Sequence, residues 1–158
     1  MSPISLFVYG TLISEDVLQM VLCPQHWTSP ERRAKLSTLQ CSPAILQGYK
    51  RVRVKQADYP AIIEGEASEA VEGVIIEGLT DMDIERLDRY EGDEYARVQV
   101  SVSTSTGSFP AYTYVWAADR SFLEEHTWDF QEFAREKLTA WLKNGRGEFV
   151  DVFALDDK

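Results

Sequence analysis

The chain has 158 residues, 44% apolar and 27% charged, with a net charge of −10. That length holds one domain with a real core, and the acidic balance argues against phosphate backbones and anionic membranes as partners. Cys23 and Cys41 are too few for a disulfide framework. No apolar run approaches the ~20 residues that span a bilayer, and no basic segment followed by an apolar one marks a signal peptide. The expectation is a cytoplasmic protein that binds neither nucleic acid nor membrane.

In chain order, Ile4 to Tyr9 is a compact apolar run that stops at Gly10-Thr11, which predicts a buried strand entering a tight turn. Ser14-Glu15-Asp16 opens a short helix carrying Val17, Leu18, Val21 and Leu22, ended by Pro24. The polar stretch from Gln25 to Ser42 reads as a long surface connection. Strand signals then dominate. Ala44 to Lys55 holds two β-rich pieces around Gly48, and alternation places Arg51, Arg53 and Lys55 together on a solvated face. Tyr59 to Ile63 is a further strand. Val71 to Leu79 is another, with Gly73 and Gly78 as bulges or close approaches.

A helix follows, with Thr80 as N-cap, Asp81 and Asp83 in its first turn and Gly92 as its stop. Ala96 to Thr104 alternates through Val98, Val100 and Val102. It turns through Gly107 into Phe109 to Trp116, where Tyr112, Tyr114 and Trp116 share one face. A longer helix is expected from about Trp128 to Lys143, and a last strand from Phe149 to Leu155 before a frayed Asp156-Asp157-Lys158 end. Six or seven short strands around one core suggest an α+β fold: a small, closed or nearly closed mixed β-barrel with flanking helices.

Several chemistries are set aside. No glycine-rich phosphate loop and no Gly-x-Ser-x-Gly elbow is present. Cys23 and His26 are three apart, but Pro24 breaks the helix that would align them and no further ligand follows, so no metal site is expected. His126 lies in a polar segment, and Cys41 reads as a small apolar residue in a strand. Carboxylates and tyrosines remain.

Glu91 is the most informative of them. It falls at i+7 from Ile84 and i+4 from Leu87, on the apolar stripe of its helix. It also sits at the negative end of the helix dipole, which disfavours an anion by roughly 0.3–1 kcal/mol. Either the last turn frays and Glu91 faces water, or a carboxylate is held inward for chemistry. Tyr9-Gly10-Thr11-Leu12 ends a buried strand, and its successive N–H groups could form an anion-binding nest or a plain turn. Tyr59, Tyr95 and Tyr114 offer phenolic groups to a polar ligand, or serve as packing.

Taken together, the pieces carry a resemblance. Phe7-Val8-Tyr9-Gly10-Thr11-Leu12, Tyr59-Pro60-Ala61-Ile62, Glu72-Gly73 and Leu87-Asp88-x-Tyr90-Glu91-Gly92-x-x-Tyr95-x-Arg97 resemble, in order and spacing, the gamma-glutamylcyclotransferase-like (AIG2-like) family over about residues 4 to 117. The resemblance implies a small αβ barrel with one pocket and a reaction that releases 5-oxoproline and an amine or amino acid from a gamma-glutamyl compound. It implies no cofactor. It assigns substrate holding to the backbone of Tyr9, Gly10, Thr11 and Leu12, and the acid/base role to Glu91. Residues 1–158 would then form one such domain, with a helical extension from about residue 118. Two readings stay open beside it: a non-catalytic small-molecule binding module on the same fold, and removal of a gamma-glutamyl protecting group. Nothing in the sequence selects the leaving group or the oligomeric state.

Overall fold

The computed structural model describes residues 3–124 and 128–144. Its strands are β1 (Ile4–Val8), β2 (Gln40–Gln47), β3 (Tyr49–Arg53), β4 (Pro60–Glu64), β5 (Ala70–Leu79), β6 (Tyr95–Thr104) and β7 (Gly107–Trp116). The helices are α1 (Glu15–Leu22), α2 (Ser29–Ser37), α3 (Asp81–Glu91), α4 (Phe130–Glu132) and α5 (Leu138–Asn144), with a π-helical turn Phe133–Lys137 joining the last two.

A closed barrel runs β1-β5-β2-β6-β7, and β3 and β4 pair separately as a hairpin. Every pairing is antiparallel except β1 with β7, which closes the barrel in parallel through Leu6 and Tyr112. Side-chain bonds reinforce this thin seam. Thr113 Oγ1 donates to the Phe7 carbonyl at 3.0 Å, and the Tyr9 hydroxyl donates to the Tyr114 carbonyl at 2.6 Å. The α+β mixed barrel expected from the strand pattern is therefore the fold.

Alternation along β1 divides the core. Phe7 and Tyr9 pack with Ala44, Leu46, Ile75 and Val102 inside the barrel. Leu6 and Val8 face the other way, against Val17 and Val21 of α1 and Ile84 and Leu87 of α3. This two-sided burial is why β1 reads as a continuous apolar run.

Two expectations need correction. The segment after Pro24 is not simply a surface connection, because it contains α2 and the start of β2. Thr28 and Glu31 form a reciprocal capping box, with Pro in the first turn. None of the α2 residues is buried, so the helix has no apolar stripe to announce it. It is tied down instead by Lys35 Nζ, which lies 2.6 Å from the buried Asp83 Oδ2. The second correction concerns Arg51 and Arg53, which are partly buried, leaving only Lys55 of the three cations exposed. Cys41 lies exposed on β2, the strand setting read for it, and both cysteines are free. The expected final strand and His126 lie outside the described residues.

Gly73 faces β1 so closely that a Cβ there would stand 2.3 Å from the Val8 carbonyl oxygen and 2.8 Å from the Phe7 ring. The obstacle is backbone and a fully buried ring, neither of which can move aside. Gly73→Ala should therefore destabilise the fold by about 1–3 kcal/mol, as overpacking does. Chemical denaturation of the two proteins measures it, and an unchanged midpoint would contradict the close approach.

Candidate active site

The end of β1 and the end of α3 meet around a cavity of 190 Å³. Tyr9, Gly10, Thr11 and Leu12 line it from one side, and Tyr90, Glu91 and Gly92 from another. Tyr59, Pro60, Tyr95, Tyr114 and Trp141 complete much of the wall. Every residue singled out from the sequence as a candidate for the site thus lines one pocket.

Local sequence explains each placement. α3 starts at a capping box formed by Thr80 and Asp83, and it stops at Gly92, whose φ of +76° suits a residue without Cβ. Between these signals Ile84, Leu87 and Tyr90 are buried. Glu91 follows on the same side and is partly buried. On the other wall, Gly10 precedes a 3-10 turn, Thr11–Ile13, closed by Ile13 N–H to the Gly10 carbonyl at 3.0 Å. A Cβ on Gly10 would lie 2.7 Å from Pro60 Cγ, so the chain passes under the Tyr-Pro segment only as glycine. The N–H groups of Thr11 and Leu12 precede the turn-closing bond and have no partner within that turn.

One hydrogen-bond chain ties the walls together. Thr11 Oγ1 and the Tyr90 hydroxyl share a bond of 2.7 Å, and Trp141 Nε1 donates to the same hydroxyl at 3.3 Å. Trp141 also meets the Tyr59 ring edge-on, with centroids 5.8 Å apart. A second group stands behind Glu91. Asp88 Oδ1 accepts from the Tyr114 hydroxyl at 2.7 Å and from Arg97 Nε at 3.1 Å. Tyr95 donates its hydroxyl to the Pro60 carbonyl at 2.7 Å.

These bonds revise what the tyrosines do. The hydroxyl protons of Tyr9, Tyr95 and Tyr114 are already donated to protein acceptors. Burial, before any other cause, pushes all three phenols above their ordinary value. They remain neutral and frame the site, and the Tyr9 oxygen also accepts from the Ile62 backbone. Tyr114 reaches Asp88, one turn before Glu91, rather than Glu91 itself.

Glu91 is the electrostatic centre. Burial, with a smaller contribution from the negative charge of Asp88, raises its carboxyl from 4.5 to about 8. Its carboxylate receives no hydrogen bond from any described residue. Near neutral pH a carboxyl in this range exchanges its proton readily, as a general acid/base group must.

The sequence did not disclose Tyr90, Trp141 and Asp88 as parts of the site. Tyr90 and Asp88 lie inside a quoted motif, so their motif membership was a usable signal. Trp141 was legible only as part of an apolar helix face, with nothing to show which wall it would join.

A family model for gamma-glutamyl cyclotransferase, AIG2-like, matches residues 6–130. The chain belongs to that family. AIG2-like protein D of Arabidopsis thaliana is 33% identical over 154 residues, covering 96% of this chain and 91% of the relative. The solution structure of an Arabidopsis thaliana protein superimposes with a TM-score of 0.64 at 27% identity, over 93% of this chain and 82% of that one. The structure of a gamma-glutamyl cyclotransferase aligns with a TM-score of 0.57 at 16% identity, over 78% of this chain and 69% of its own. At that identity the likeness is one of fold. Trp141 lies beyond the span that the family model covers. Among the described residues no helix is long and apolar enough to cross a membrane.

The raised carboxyl has a measurable cost. Between pH 4.5 and about 8 the folded protein keeps the Glu91 proton while the unfolded chain has lost it. Stability therefore falls as pH rises through that window, and the loss is complete above it. Glu91→Gln removes the effect. The variant should match the parent below pH 4.5 and become progressively more stable than it up to about pH 8. Paired thermal melts across that range test this, and a constant difference would mean that Glu91 does not titrate as described.

Proposed function

We propose that the protein is a cofactor-independent gamma-glutamylcyclotransferase in which Glu91 is the acid/base group. The reading is carried by one observation: a carboxyl raised to about 8 shares a small pocket with the backbone of Tyr9 to Leu12. Family membership and the cyclotransferase fold support it.

The chemistry follows from the substrate. In a gamma-glutamyl compound the α-amine attacks its own γ-carbonyl carbon, a C–N bond forms to close a five-membered lactam, and the C–N bond to the leaving amine breaks. The α-amine is an ammonium near neutral pH and must first lose a proton. The attacking nitrogen loses two protons in all, one before attack and one as the lactam forms. Glu91 passes both in turn to the departing nitrogen, which leaves as an ammonium, so no water and no net proton are consumed. A carboxylate beside an ammonium, and a neutral acid beside an amine, carry the same proton count. A carboxyl with a pKa near that of the amine moves the proton between them with little free-energy change. Negative charge that develops on the γ-oxygen needs donors, and on this reading the N–H groups of the Gly10 to Leu12 segment supply them. The pocket also holds the flexible chain curled, which removes much of the entropic barrier to ring closure.

On this reading the ligand is a small zwitterion. Its carboxylate and γ-oxygen meet backbone donors, and its amine meets Glu91. The protein forms one catalytic domain to which α5 adds a wall through Trp141.

Incubation with gamma-glutamyl amines, gamma-glutamyl amino acids and glutathione, followed by detection of 5-oxoproline, tests the proposal. At least one class should turn over, and Glu91→Gln should lower that turnover by about 10²–10⁴-fold, the usual worth of a general base. Binding without 5-oxoproline would identify a binding module instead, and a fully active Glu91→Gln variant would remove Glu91 from its role.

A further inference from the structure

Arg51 projects from β3 toward the end of β1. Its Nη1 donates to the Tyr9 carbonyl at 2.9 Å and to the Glu72 carbonyl at 3.3 Å. Its guanidinium lies 5.9 Å from the centre of the Trp128 ring, and its buried Nε has no hydrogen-bond partner. Asp129, next in sequence, contributes a favourable negative charge that offsets part of the cost of burying this cation. Arg51 does not line the pocket. A partly buried cation held on a backbone carbonyl, outside the cavity but one peptide from it, calls for an explanation.

Peptide geometry supplies one. The Tyr9 carbonyl and the Gly10 N–H belong to a single planar, trans unit, so they point in opposite directions. A cation fixed on the carbonyl therefore sets the direction of the Gly10 N–H on the other side. It also draws electron density toward the oxygen, which makes that N–H a stronger donor, because neighbouring hydrogen bonds polarise one another at low dielectric. Gly10 lines the pocket, and the turn's own bonds use its carbonyl, not its N–H.

We propose that Arg51 is a positioning residue: by anchoring and polarising the Tyr9–Gly10 peptide from behind, it aims the Gly10 N–H at the negative charge that develops on the substrate γ-oxygen. This rests on the cyclotransferase reading above. Glycine at position 10 cannot direct its own peptide through a side chain, and Pro60 presses on the same residue. The orientation must be imposed from outside, and Arg51 is the charged group that touches it. Trp128 and Asp129 steady Arg51 in turn, so the C-terminal segment acts on the site at a distance.

The test compares Arg51→Met, which keeps much of the apolar stem, with Arg51→Lys, which keeps the charge. Turnover of whichever gamma-glutamyl substrate the parent accepts is one readout, and the amide signal of Gly10 in a ¹⁵N-labelled, ligand-free sample is the other. For Arg51→Met, kcat should fall about 10–100-fold, the worth of a hydrogen bond to a charged group. KM should change less than about threefold, since a donor aimed at developing charge acts in the transition state. The Gly10 amide proton should move upfield. Arg51→Lys should recover a substantial part of both effects. An unmoved Gly10 signal in Arg51→Met overturns the proposal, and so does a loss confined to KM or a lysine variant no better than methionine. A parent without turnover would overturn the cyclotransferase reading, while the Gly10 signal would still decide whether Arg51 governs that peptide. Should Arg51→Met fail to fold, Arg51→Gln, which removes the charge and keeps a polar side chain, takes its place, with the same losses expected and the same results overturning the proposal.

Discussion

The hydrogen bond between Thr11 and Tyr90 joins two segments 79 residues apart in sequence. Both belong to the walls of the pocket, and both adjoin the groups proposed to act there. Thr11 follows the Gly10 backbone, and Tyr90 immediately precedes Glu91. At 2.7 Å and buried, this contact fixes the distance from the carboxyl to the backbone donors more directly than the barrel can. The rest of the architecture serves it. β1 delivers the turn, the capping box and Gly92 set the length of α3, and Trp141 donates a further hydrogen bond to the Tyr90 hydroxyl. Losing the register of either segment by one residue would rotate the reacting groups out of the cavity.

The same constraint explains how a destabilising carboxyl persists. Ile84, Leu87 and Tyr90 drive α3 onto α1 and the barrel, and Glu91 is carried inward with them. Its position at the end of the helix opposes an anion, burial opposes it further, and the charge of Asp88 adds to both. Asp88 itself is held by Arg97 and Tyr114, which keep it close behind Glu91. The fold thus concentrates several small penalties on one residue, and the product is a proton-exchanging group poised near neutrality.

Much of this is legible in the amino-acid sequence. The strands, the α3 boundaries and the stripe that Glu91 shares with Ile84 and Leu87 follow from periodicity and capping, whereas the inward course of Glu91 itself does not, because a frayed last turn has the same spacing. The tight turn after β1 follows from an apolar run meeting Gly10. Helix α2 was not legible through periodicity because it buries nothing, although its Thr28–Glu31 box was visible. Arg51 misled for the opposite reason. On an isolated hairpin its side would face water, but the Tyr9 carbonyl and Trp128 cover it. The roles of Tyr114 and Trp141 depend on contacts between distant segments, and a spacing rule carries no information about those. Sequence could place tyrosines near a pocket. It could not show that their hydroxyl protons were already committed to Pro60, Asp88 and the β7 backbone.

The central claim is that Glu91 exchanges its proton near neutral pH because of where the fold puts it. The direct measurement is a ¹³C NMR titration of the side-chain carboxyl carbons, with the Glu91 signal assigned by its absence in Glu91→Gln. The account predicts a midpoint at about 8. A Glu91 signal that titrates near its ordinary value of 4.5 would contradict it.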